Sequence, residues 1–107
     1  MDTARVVLVT CPDLDAARTL ARALVDRRLV ACANLVPGLT SIYRYEGKIH
    51  EDPEVLLVLK TTEPRLAELE AAVVELHPYD VPEFVALSAE RVEARYAAWL
   101  EGETSRD

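Results

Sequence analysis

Residues 40–60, TSIYRYEGKIHEDPEVLLVLK, decide the fold. The first six are rich in β-forming side chains, Glu46-Gly47-Lys48 is a glycine-containing turn, and residues 49–60 return as a second extended arm. The stretch therefore reads as a hairpin. The extended pattern begins upstream, near Val30, and Pro37-Gly38 interrupts it. Proline has no N–H for a ladder, so a bulge or bend is expected there. Both arms exceed the usual ~5–6 residues of a strand. A hairpin that long projects beyond its own sheet and leaves edge groups in need of a partner, which points to a symmetric homo-oligomer.

Outward from the hairpin, residues 5–11 (RVVLVTC) form a β-branched run stopped by Pro12-Asp13, as expected of a well-buried first strand. Asp13 is placed to cap a helix over 14–28, in which Leu14, Ala17, Ala21, Leu24 and Val25 share one face. Arg27-Arg28 at its end would suit the helix dipole. After the hairpin, Thr62-Glu63-Pro64 predicts a second helix start with Thr62 as cap, and Leu66, Leu69, Val73 and Leu76 continue it to a stop at Pro78. Residues 84–87 read as a short strand. Ser88 would cap a last helix with Val92, Tyr96, Trp99 and Leu100 on one face, followed by a fraying polar tail from Gly102. The order β-α-β-β-α-β plus a terminal helix is that of a ferredoxin-like α+β sandwich, an antiparallel sheet with helices on one face.

The chain has 107 residues, half of them hydrophobic, enough for one domain over 1–107 with residues 103–107 as its polar tail. Its formal net charge of -7 repels phosphate backbones and anionic headgroups, so neither nucleic acid nor an acidic membrane is expected as partner. Residues 1–5 carry no export signal, and the strongly apolar stretch 55–59 falls far short of the ~20 residues of a membrane span. Cys11 and Cys32 then read as reduced thiols of a cytoplasmic protein. The only glycines are Gly38, Gly47 and Gly102, which rules out a Walker loop or dinucleotide fingerprint. With no CxxC, HExxH or nucleophile elbow either, no enzyme and no organic cofactor is indicated.

Chemically capable side chains concentrate in residues 77–83, HPYDVPE, where two prolines hold an imidazole, a phenol and two carboxylates in place at low entropic cost. A proline-broken, solvated loop is the plainer reading of the same residues. In the expected topology the end of the first strand lies beside the start of the last, which brings Cys11 close to His77 and Glu83. Cys32 falls at the opposite end, so a site using Cys32 with His77 needs two subunits or a bent hairpin. Cys32 alone, among alanines, reads as a small core residue, and His50 near the tip as a solvated histidine. Lys60 either meets an anion near the following helix start or ends its strand in water. Tyr43, Tyr45 and Trp99 are candidates for interface contacts, with core packing the rival for Trp99.

Residues 9–13 (VTCPD), 29–38 (LVACANLVPG), 40–45, 46–49 (EGKI), 54–62 (EVLLVLKTT) and 77–83, in this order, resemble the CutA divalent-cation tolerance proteins over nearly the whole chain. The resemblance implies a ferredoxin-like protomer similar to the PII signalling proteins, a tight homotrimer assembled through the long hairpins, a cytoplasmic location, and a role in tolerance of copper and other divalent metals. It places metal ligands at Cys32, His77 and Glu83, and inter-subunit cleft residues at Tyr43, Lys60 and Tyr79. A thiolate, an imidazole and a carboxylate together suit Cu(II) or Zn(II). The chain departs from the family at Tyr45, where tryptophan is usual, at Asp80, often glutamate, and over 88–95 (SAERVEAR), which lacks the usual proline and Gly-Asn turn. Two other functions stay open: a PII-like sensor with a small anion at Lys60, and a trimeric scaffold with no physiological metal.

Overall fold

The computed structural model describes residues 3–106; the expectations for Met1, Asp2 and Asp107 fall outside them. Strand β1 (Ala4–Cys11) leads into helix α1 (Leu14–Asp26), followed by the hairpin β2 (Cys32–Tyr45) and β3 (Lys48–Thr62). A single 3-10 turn over Glu63–Arg65 opens onto α2 (Leu66–Leu76), and β4 (Val85–Ser88) and α3 (Ala94–Glu103) close the chain. All strand pairings are antiparallel, in the order β2-β3-β1-β4. This is the ferredoxin-like arrangement expected from the order of elements. No helix among the described residues is long and apolar enough to cross a membrane.

Alternation along β1 and β3 sends Val7, Val9, Cys11, Val55, Leu57 and Leu59 to one face, where they meet Leu20 and Leu24 of α1 and Leu69 and Val73 of α2 in one buried cluster. On the opposite face α3 covers only the end at Ala4 and Thr62, where Thr104 meets Thr62. Val6 and Leu8 of β1 also lie on this face, flanked in register by Val58 of β3 and by Val85 and Leu87 of β4, both nearly half-exposed.

The hairpin is longer than its sheet, with arms of 14 and 15 residues in a molecule 44 Å in its longest dimension. Tyr45 pairs with Lys48, so the turn is the two-residue Glu46-Gly47 step, both with positive φ as a twist-matched hairpin turn requires. The register shifts between Val36 and Leu39, at Pro37-Gly38, and Gly38 supplies the positive φ of that bulge.

Several local expectations are corrected. Helix α1 ends at Asp26, and Arg28 turns back in a left-handed conformation so that its guanidinium donates to the carbonyls of Gly102 and Glu103. It thus serves the C-terminus of α3 rather than of its own helix. Thr62 makes no capping bond; its hydroxyl pairs with that of Thr104, and α2 begins only after the 3-10 turn. Ser88 belongs to β4, while the carboxylate of Glu93 accepts from the N–H groups of Arg95 and Tyr96 to start α3. That later start turns Ala97 and Leu100 inward and leaves Tyr96 and Trp99 more than two-fifths exposed. The tail does not fray at Gly102, because Thr104 is buried against Thr62.

Candidate functional site

Proline chemistry builds the loop 77–83. Pro78 disfavours helical backbone at the residue before it, so α2 stops at Leu76 and His77 turns extended, its N–H still closing the helix on Val73. The ring of His77 then swings onto β1. Its Nε2 lies 2.7 Å from the Thr10 carbonyl, two residues beyond the last β1–β4 pair, while Nδ1 lies 3.0 Å from the Tyr79 amide nitrogen. The Tyr79 amide can only donate, so Nδ1 is an acceptor and the proton sits on Nε2, which donates to Thr10. Both ring nitrogens are committed, and the residue is 7% exposed. His77 acts as a clamp that replaces the ladder β4 does not supply.

Tyr79 packs its ring at 4.8 Å from that of His77 and donates its hydroxyl to Glu54 Oε2 at 2.8 Å. Glu54 stands at the base of the β3 arm, 9% exposed. Burial and the Glu54 carboxylate raise the Tyr79 phenol well above its usual range, so it remains a donor at any ordinary pH. The Cys11 thiol, 3.7 Å from His77 Nε2, is pushed up to about 11 by burial and then by Glu54 and Asp13. Glu83 is likewise held above the usual carboxylate range, by burial and then by Glu54. On the hairpin side Tyr43 donates to Asp52 at 2.5 Å and stacks on His50 at 5.3 Å. Together Tyr43, Glu54, Tyr79, Val81, Pro82 and Glu83 wall a cleft of about 520 Å³.

Of the six residues singled out from sequence, Tyr43, Tyr79 and Glu83 share this cleft, and His77 braces it from behind. Cys32 and Lys60 do not join them. They are register partners at the far end of the sheet, where the Cys32 thiol lies 3.9 Å from Asn34 Oδ1 and the Lys60 ammonium donates to the same oxygen. Lys60 faces away from α1 and α2, unlike its fully buried neighbour Thr61, and the cation at the start of α2 is the buried Arg65. His50 is not merely solvated: its Nε2 lies 3.2 Å from the Tyr45 carbonyl and its ring sits between Tyr43 and Tyr45.

Within one chain the residues do not fit a metal ion. No cluster of three histidine, cysteine or carboxylate groups arises among the described residues, Cys32 is remote, and His77 has no free lone pair. Sequence reasoning missed Glu54. Its signal was present, as the last charge before the apolar run of β3, on the parity that faces away from the core.

The wider likeness agrees with the fold. The family model described as the CutA1 divalent ion tolerance protein matches residues 5–103. The "Divalent-cation tolerance protein CutA" of Thermus thermophilus is 52% identical over 99 residues, 92% of this chain and 96% of the relative. A solved structure, "Divalent cation tolerance protein (Cut A1)" from the same organism, superposes with a TM-score of 0.93 at 50% identity, covering 95% of this chain and 99% of that one. "Protein CutA, chloroplastic" of Arabidopsis thaliana is 42% identical over 92% of this chain, but the chain spans only 54% of that relative, and about half of the mammalian ones. Sequence and architecture agree along almost the whole length, and the chain belongs to the CutA1 divalent ion tolerance family.

Proposed function

We propose that the chain works as a cytoplasmic homotrimer in tolerance of divalent metal cations, without catalytic turnover, and takes up copper or a similar ion between subunits. The observation that carries this reading is the part of the sheet face that α3 leaves open. Val6, Leu8, Val58, Val85 and Leu87 form an apolar surface with the two groups of candidate ligands at its opposite ends, as a cyclic assembly needs if one copy supplies Cys32 and the next Glu83 and His77. The overlong hairpin supplies the arm that reaches across. For His77 to take part, one of its two backbone bonds must give way to the ion.

Light scattering tests the assembly: the expected mass is about 36 kDa, three times the 11.9 kDa of one chain, and a monomer at micromolar concentration ends the reading. Calorimetry with Cu(II) and Zn(II) tests the ligands. Cys32→Ser and Glu83→Gln are the primary variants, because neither removes a clamp, and His77→Ala is read only where the trimer persists. Uptake by the parent that weakens as pH falls, and that both primary variants lose, is expected. Thiol oxidation by Cu(II) is excluded by mass spectrometry. Unchanged uptake by both variants refutes the ligand set.

A second reading, a PII-like sensor of a small ligand, is favoured by the cleft at Tyr43 and Tyr79, which is large enough for one.

A further inference from the structure

The cleft contains a carboxylate that no cation among the described residues pairs with. Glu54 is nine-tenths buried and accepts one hydrogen bond, from the Tyr79 hydroxyl. The groups that feel its charge, Cys11, Tyr43, Tyr79 and Glu83, are all acids. None of the ion pairs among the described residues includes it. Buried charges persist in proteins where an opposite charge meets them, and the loss of either partner is costly. A metal bound by one chain is disfavoured, since no third ligand converges among the described residues.

The walls define the missing partner more closely. The Tyr43 and Tyr79 rings flank the carboxylate, the Ser41 and Thr10 side chains add neutral oxygens, and Ile42, Val81 and Pro82 are apolar. Aromatic faces beside a carboxylate suit an ammonium group, and an apolar rim suits the methylenes attached to it. We propose that this cleft is a binding site for an alkylammonium ion, with Glu54 as its charge partner and Tyr43 and Tyr79 as its flanking rings. The site uses neither Cys32 nor His77 as a ligand and shares Glu83 with the proposed metal set.

The ion has two possible sources, a free amine or a lysine of a second copy. The chain has two lysines, Lys48 and Lys60, each six residues from Glu54 along β3. In an extended strand that is about 20 Å, too far for either to reach the Glu54 of its own chain.

Calorimetry with n-butylammonium chloride at constant ionic strength decides between these sources. Saturable binding by the parent, weakened about tenfold or more in Glu54→Gln, identifies a free amine. Binding absent from the parent but present in the Lys48→Gln/Lys60→Gln double variant identifies a lysine of a second copy, and that variant then dissociates at higher protein concentration than the parent. If Glu54→Gln does not fold, as judged by circular dichroism, Tyr79→Phe and Glu83→Gln replace it, and each is expected to weaken binding severalfold. Absence of saturable binding in both parent and double variant, or binding indifferent to all three cleft substitutions, overturns the proposal.

Discussion

The two ends of the sheet solve the same problem differently. At the β1 exit, buried polar groups are locked to each other and to backbone: His77 spans the Thr10 carbonyl and the Tyr79 amide, and Tyr79 reaches Glu54. At the β2 entrance, Cys32, Asn34 and Lys60 meet around one amide oxygen at the surface. A group whose partners are fixed by the fold contributes stability and gives up chemistry. A group with partners left to solvent keeps its reactivity and contributes little to folding. The first end is therefore mainly architecture around one open cleft, and the second is where a thiol and an ammonium remain available to something outside the chain.

The largest expected difference is in stability. His77→Ala removes two hydrogen bonds and leaves a cavity beside Cys11, so it should cost about 2–4 kcal/mol in urea unfolding. Asn34→Ala at the other end should cost less than about 1 kcal/mol. Equal losses would erase the distinction between the ends. His50→Ala, at the exposed hairpin tip, should behave like Asn34→Ala even though its ring stacks on Tyr43.

The second difference is in thiol reactivity. Cys11 is fully buried and its thiol is pushed up to about 11, so little thiolate exists near neutral pH and reagent reaches it only through opening of the fold. Cys32 is partly exposed beside an ammonium group. A chromogenic disulfide should therefore modify one thiol per chain quickly and the second at least about a hundredfold more slowly. Cys32→Ser should abolish the fast phase. A fast phase that persists in that variant would assign the reactivity to Cys11 and reverse the comparison.

How much of this was legible in the sequence depends on the range of the interaction. The hairpin, its bulge at Pro37-Gly38 and the stop at Pro78 follow from backbone chemistry within a few residues, and they stand as expected. The separation of Cys32 from His77 followed from topology alone. Helix boundaries were misplaced where a long-range partner took over a residue assigned to a local role: Thr62 gives its hydroxyl to Thr104, 42 residues away, instead of capping the following helix, and Arg28 serves a helix 74 residues away instead of the end of its own. The saturation of His77 was invisible for a similar reason, because its acceptor on Thr10 is exposed only through the shortness of β4, which no motif encodes. In the sequence Glu54 is one of several acids beside an apolar strand, and only the folded chain shows Tyr79 closing over it.

The smallest expected effect probes the cleft itself. Glu83 is partly buried and faces Glu54, and both factors make its carboxyl hold a proton more tightly in the native chain than in the unfolded one. For such a group the native state binds more protons than the unfolded state, so stability falls as pH rises. The cost is absent below the ordinary glutamate range, grows as pH climbs through the interval up to the raised native value, and is constant above it. Glu83→Gln, which keeps the shape and removes the charge, should therefore raise the melting temperature slightly at neutral pH and leave it unchanged at a pH below the ordinary range. The same substitution at Glu68, held below the usual range chiefly by Arg106 and then by Arg65, should act in the opposite sense and lower the neutral-pH melting temperature. Melting curves of both variants at the two pH values check the pair of signs. A Glu83→Gln chain less stable than the parent at neutral pH would mean that a cation already compensates this carboxylate in the assembled protein, and that the cleft is filled rather than waiting.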